Sequence, residues 1–181
     1  REEGEKIWGQ ITEPCVLAGV SGRDWNRDFS PWRAEKVFAK STDFSGGAGE
    51  YLLYFENDIL PRIEQTLSFE VRDRGIAGYS MAGLFAVYAM YHSDKFNRIG
   101  TMSGSLWFDG WEDYAVSHTI KAINPVIYVS LGSREHKVRN DRMASVKACT
   151  ERLAAYWEKS WPVIRESEPG GHFDDPEGRV A

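Results

Sequence analysis

The stretch Gly78-Tyr79-Ser80-Met81-Ala82-Gly83 decides how the rest of the chain is read. Before it stands Arg74-Gly75-Ile76-Ala77, a short run suited to the end of a buried strand. After it, Leu84 to Tyr91 is rich in helix formers and too bulky for a loop. A strand, a tight turn with serine at its tip and then a helix are the setting of a nucleophile elbow. Small residues at 78 and 82 suit it, because the backbone at such a serine is strained and a neighbouring side chain would clash. The helix N-terminus adds partial positive charge where an oxyanion would form. The usual pattern has glycine two residues after the serine. Here Ala82 stands there and Gly83 follows, the mildest departure available. The alternative is a Gly-Ser turn with no chemistry, and the hexapeptide alone does not separate the two.

Working outward, other apolar runs alternate with helical patterns. Cys15 to Val20 reads as a strand of a parallel sheet. Ser21 to Trp32 is a polar loop ending in a Ser30-Pro31 turn, and Ser45-Gly46-Gly47-Ala48-Gly49 reads as a flexible segment. Tyr51 to Leu67 has helical spacing of Leu52, Phe55, Ile59, Leu60 and Ile63, with Pro61 expected to kink or divide it. Further strands are expected at Phe96 to Met102, Pro125 to Leu131 and Val163-Ile164, with a long helix from about Asp141 to Lys159. Residues 1–10 read as the tail of a surface helix. The alternation predicts an α/β domain with a mainly parallel sheet flanked by helices, whose chemistry collects at the carboxyl ends of strands.

Three residues stand at such ends: Ser80, Glu135 and His172. A serine hydroxyl needs a base within hydrogen-bond reach, and the base needs a group that fixes its tautomer and favours its cation. Of four histidines, His92 ends the post-elbow helix on the expected surface, His118 sits in a polar stretch and His136 lies in a run of charges. His172 follows Pro169-Gly170-Gly171 after the last strand, where a loop can carry an imidazole over the sheet. Glu135 follows the strongest strand by a Gly132-Ser133-Arg134 turn, whereas Glu166 would sit on the last strand itself and Asp174 and Asp175 lie too near His172 in sequence. The order Ser80, Glu135, His172 is that of the α/β-hydrolases. Read singly, Glu135 is one more solvated charge and His172 a surface histidine in a turn. Their joint order is what favours chemistry.

Composition bounds the rest. The 181 residues suffice for one domain over 1–181, with 42% hydrophobic and 27% charged residues. A net charge of −5 without a basic block argues against nucleic acid or an anionic membrane. No apolar run approaches a membrane span. Cys15 and Cys149 lack metal-ligand spacing and read as buried thiols, pointing to a cytoplasmic protein, and the expected serine chemistry implies no metal or organic cofactor. Trp25, Trp32, Trp107 and Trp111 either frame an acyl or aromatic pocket or pack the core and its rim.

The chain resembles the esterase branch of the α/β-hydrolases that includes enterochelin-esterase-like and esterase-D-like proteins. The resemblance rests on Asp24 to Trp32, Ile76 to Ala86, Ser103 to Phe108, Tyr128 to Glu135 and Pro169 to Phe173, in that order. It implies Ser80 as nucleophile, His172 as base, Glu135 as acid and the Met81 N–H as first oxyanion donor. It also implies strands ahead of the first one seen and a helix after His172, hence a chain trimmed at both ends. One of those earlier strands would supply the second oxyanion donor. Gly19 to Ser21 follows a strand, but the resemblance aligns it with a later one. The expected activity is hydrolysis of a small-molecule carboxylic ester through an acyl-enzyme. Transfer of the same acyl group to another acceptor, or a non-catalytic binding domain of the same fold, are the rival readings. Neither substrate identity nor oligomeric state is legible.

Overall fold

The computed structural model describes residues 15–174. Its centre is a four-stranded sheet in the order β3-β4-β5-β6, where β3 is Gly75–Tyr79, β4 Arg98–Met102, β5 Val126–Gly132 and β6 Val163–Glu168. All three pairings are parallel, and the register runs straight across: Ala77 beside Gly100, Gly100 beside Tyr128, Tyr128 beside Ile164. Parallel neighbours need long crossovers, and the intervening helices supply them. Helix α4, Met81–His92, packs on β3 and β4. The pair α6, Asp141–Ala144, and α7, Val146–Trp157, leads from β5 to β6.

Side chains alternate across the sheet. Ile76, Ile99, Thr101, Ile127 and Val129 are buried beneath the helices. The opposite face carries the row Ala77, Gly100, Tyr128 and Ile164, exposed at both ends and with Ile164 at 51%. Helix α4 has almost no exposed side: Met81 and every residue from Gly83 to Tyr91 are buried. A helix apolar all round belongs in the middle of a core. Here the sheet lies on one side, and α2, Ala48–Tyr54, lies on another. Helix α7 shows the opposite pattern. Val146, Cys149, Thr150, Leu153, Ala154 and Trp157 are its buried residues, a single stripe of three- and four-residue steps.

Several expectations are met and several are corrected. The segment 51–67 divides as expected into α2, a π turn Phe55–Ile59 and α3, Leu60–Glu64. Pro61 lies at the start of α3 and cannot donate to the ladder, so the break falls just ahead of it. The long C-terminal helix is interrupted at Ser145, between α6 and α7. The expected strand Cys15 to Val20 is irregular and largely exposed. Apolarity alone does not make a strand, which needs a neighbour to accept its hydrogen bonds, and among the described residues none pairs with it. Cys15 is accordingly an exposed thiol, whereas Cys149 is buried as expected.

Ser45 to Gly49 is not a loose segment. Phe44–Ser45 forms β2, which pairs antiparallel with β1, Arg33–Ala34. Gly46 has φ +80, a Cβ there would lie 2.6 Å from the Trp32 Cα, and its N–H donates to Ser30 Oγ at 2.9 Å. The reading of residues 1–10 as a surface helix, and Asp175, lie outside the described residues.

Candidate active site

Ser80 follows β3 and stands at the N-cap of α4 with φ 59 and ψ −121, a conformation that L-residues rarely adopt. Three backbone hydrogen bonds hold it there. Its N–H donates to Met102 O at 3.1 Å, and its carbonyl accepts from Leu84 N at 3.1 Å and Ser105 N at 3.0 Å. The steric demand of this turn falls on Gly78, where a Cβ would lie 2.3 Å from the Ala82 carbonyl carbon and oxygen. The methyl of Ala82 is accommodated, so the departure from glycine at that position costs the elbow nothing visible.

A continuous hydrogen-bonded series leads away from the serine. His172 Nε2 is 3.0 Å from Ser80 Oγ, and His172 Nδ1 is 2.8 Å from Glu135 Oε2. The other oxygen, Glu135 Oε1, accepts the Ser103 hydroxyl at 2.6 Å and the Gly132 N–H at 2.7 Å. Glu135 is 3% exposed. Burial alone would raise its pKa, but the hydrogen bonds from His172, Ser103 and the Gly132 N–H outweigh it and hold the carboxyl below its ordinary value. An ionised Glu135 requires the proton on His172 Nδ1, which leaves Nε2 to accept from the Ser80 hydroxyl.

Two loops are bound together to bring Glu135 and His172 into reach. Ser133 N donates to Glu168 O, and Arg134 N donates to Gly170 O, both at 2.8 Å. These bonds continue the β5–β6 ladder past the strand ends. Asp174 closes the histidine turn by accepting Gly171 N–H at 2.8 Å, and Arg134 approaches it at 3.4 Å. Tyr79, the residue before the serine, donates its hydroxyl to the His172 carbonyl, and the two rings lie 5.1 Å apart. Phe173 meets the imidazole edge-on at 4.9 Å and is 74% exposed.

The other candidates fall elsewhere. Glu166 lies on β6 and accepts the Tyr128 hydroxyl at 2.6 Å. His92 is only partly at the surface. It is half-buried, stacked on Tyr88 at 4.0 Å, with Nε2 2.9 Å from Tyr114 Oη. Burial lowers its pKa, and His118 and Lys121 add to the effect. His118 stacks on the same Tyr114 at 3.8 Å. His136 is half-buried within the loop after Glu135. Met81 is buried at the first position of α4. Ser21 is held through its carbonyl by the Tyr51 hydroxyl, beside α2.

The tryptophans separate. Trp111 is fully buried and Trp107 nearly so, so Trp111 packs core rather than walling a cleft. Trp32 lies over Trp111 and Tyr114 and donates Nε1–H to Asp109 O. Trp25 is half-exposed, edge-on to Phe29. Among the described residues, no group of three or more His, Cys, Asp or Glu is arranged to hold a metal ion, and no helix is long and apolar enough to cross a membrane.

Two contributors, Ser103 and Tyr79, escape sequence reasoning. Both lie inside motifs that stand out in the sequence, but their partners are 32 and 93 positions away, and no local signal gives such a pairing.

Comparison with known proteins supports the fold. A family described as "Putative esterase" matches residues 9–167. The uncharacterized protein YbbA of Bacillus subtilis (strain 168) is 29% identical over 123 residues, 66% of this chain and 49% of that protein. Siderophore hydrolase EstB from Aspergillus nidulans superposes with a TM-score of 0.70 at 18% identity, over 86% of this chain and 61% of its own. An IroE-like serine hydrolase from Shewanella oneidensis gives 0.70 at 19%, over 85% and 53%. The chain thus spans about half the length of the curated relative it matches. The fold is of the α/β-hydrolase type, a parallel sheet flanked by helices. With 9–167 matched, the chain belongs to the Esterase family.

Proposed function

We propose that the protein, taken as one domain over 1–181, hydrolyses a small-molecule carboxylic ester through an acyl-enzyme on Ser80. The observation that carries this reading is the hydrogen-bonded series from Ser80 Oγ through His172 to Glu135. His172 Nε2 accepts the hydroxyl proton as Ser80 attacks the ester carbonyl. The Met81 N–H, at the start of α4, donates to the developing oxyanion, aided by the helix dipole. His172 then protonates the leaving alcohol. Water, deprotonated by the same imidazole, attacks the acyl-enzyme and restores Ser80. Glu135 stays ionised throughout and stabilises the imidazolium. Trp25 and Phe173 offer exposed aromatic surface to an acyl or aromatic group. The likeness to EstB, a siderophore hydrolase, makes siderophore esters the first substrates to try.

A fluorophosphonate probe should label the wild type, and Ser80→Ala should abolish both labelling and hydrolysis of a nitrophenyl acyl series. Equal labelling of the two proteins would sink the assignment of Ser80. Product analysis with added alcohol acceptors separates hydrolysis from acyl transfer.

A further inference from the structure

Two strand tips beside the candidate site are followed by serines with positive φ: Ser80 just past β3, and Ser103, with φ 49, just past β4. Strain at Ser80 has an evident use, since it presents the hydroxyl. Ser103 has none as a turn residue, and its side chain is fully buried. Its N–H continues the β4–β5 ladder, donating to Ser130 O at 2.8 Å. That bond turns the side chain toward the loop after β5, where the hydroxyl donates to Glu135 Oε1 at 2.6 Å.

Resting on the reading proposed above, we infer that Ser103 is a positioning residue for ester hydrolysis: its hydroxyl, with the Gly132 N–H, clamps Glu135 Oε1 and so aims Oε2 at His172. Two donors on one oxygen fix the plane of the carboxylate and stop its rotation. They also favour the charged form, which a site buried this deeply would otherwise disfavour. The strained backbone is the cost of delivering a hydroxyl to that oxygen from a neighbouring strand.

The choice of substitution separates the hydroxyl from the strain. Glycine tolerates φ 49, so Ser103→Gly deletes the hydroxyl while relieving the backbone, and Ser103→Ala deletes it while keeping the strain. The full chain is compared as wild type, Ser80→Ala, Ser103→Gly and Ser103→Ala, by fluorophosphonate labelling rate and by the pH dependence of kcat/KM. Removing a hydrogen bond to a buried carboxylate should slow labelling and kcat about 10- to 100-fold in both Ser103 variants, with KM little changed. Activity at the acid end should fail at higher pH, since Glu135 loses a donor that favours its anion and takes up its proton sooner as pH falls. The His172 Nδ1 proton resonance should shift upfield as its bond to Glu135 slackens. Because that resonance is read in any folded variant, a Ser103→Gly protein with the wild-type signal, labelling rate and pH profile overturns the role of Ser103 alone. A wild type that takes no label overturns the hydrolase reading and this inference with it.

Discussion

Gly78 is the residue whose replacement the elbow tolerates least. A methyl there meets the Ala82 carbonyl carbon and oxygen at 2.3 Å, and these are backbone atoms that no rotamer change can move aside. Gly78→Ala should lower unfolding stability by about 2–4 kcal/mol, as severe overpacking does. Urea unfolding measures this directly, and a loss below a few tenths of a kcal/mol would contradict the geometry. Glu135 makes a different prediction. Its folded pKa lies below the ordinary 4.5, so between the folded value and 4.5 the unfolded chain binds more protons than the folded one. Its contribution to stability is therefore complete above that range and is lost as pH falls through the folded pKa. Glu135→Gln should flatten this part of the acid stability profile, followed by urea midpoints. The same change should reduce ester hydrolysis about 1,000- to 10,000-fold, because a Gln amide favours the wrong histidine tautomer.

At the scale of elements, most of what positions the site was legible in the sequence. Strands β3, β4 and β5 are short, largely apolar runs closed by a serine or a turn, β6 shows only its apolar start Val163-Ile164, and Ser80, Glu135 and His172 follow three of the four in an order that local patterns reveal. Cys15 to Val20 has the same apolar look, yet it is irregular, because strand formation depends on a neighbour that the run itself does not encode. Residues 33–34 and 44–45 pair over two positions only, too few for any periodicity to show. His92 stands at a helix end, where a residue is usually exposed, yet it is half-buried. Its burial comes from Tyr88 and from Tyr114 on α5, Trp111–Ser117, the latter a contact no window of sequence contains. Helix α4 is the element on which the fold turns. Leu84 is fully buried in it, so Leu84→Ala should cost about 2–5 kcal/mol by thermal or urea unfolding. A surface position such as Lys147 on α7, whose partner Glu151 stands 3.8 Å away, should lose less than about 1 kcal/mol on replacement by alanine.

Across the whole molecule, burial sets how the phenols titrate. Tyr91 is pushed up to about 12 chiefly by burial, and Trp157 Nε1–H donates to its hydroxyl at 2.9 Å. Tyr128 reaches about 12 by burial and by its hydrogen bond and charge interaction with Glu166. A spectrophotometric titration should therefore show Tyr91 and Tyr128 still largely protonated near pH 11 in the folded protein, with Tyr51, Tyr88 and Tyr114 also displaced upward by burial, and all five back at the ordinary value of 10 in denaturant. Glu166→Gln should bring Tyr128 down. The sheet has a further consequence. Among the described residues its two outer strands are unlike: β6 carries Arg165, Glu166 and Glu168, whereas β3 is Gly-Ile-Ala-Gly-Tyr with no charge at all. Charged outer strands resist pairing with foreign chains, and uncharged ones invite it. Within the described sheet, β3 is therefore the side that suits a further strand, and β6 the side that does not. A strand added beside β3, from elsewhere in the protein or from another copy, would run up to Ser80 just past its end, so its docking would be read as a change in fluorophosphonate labelling rate.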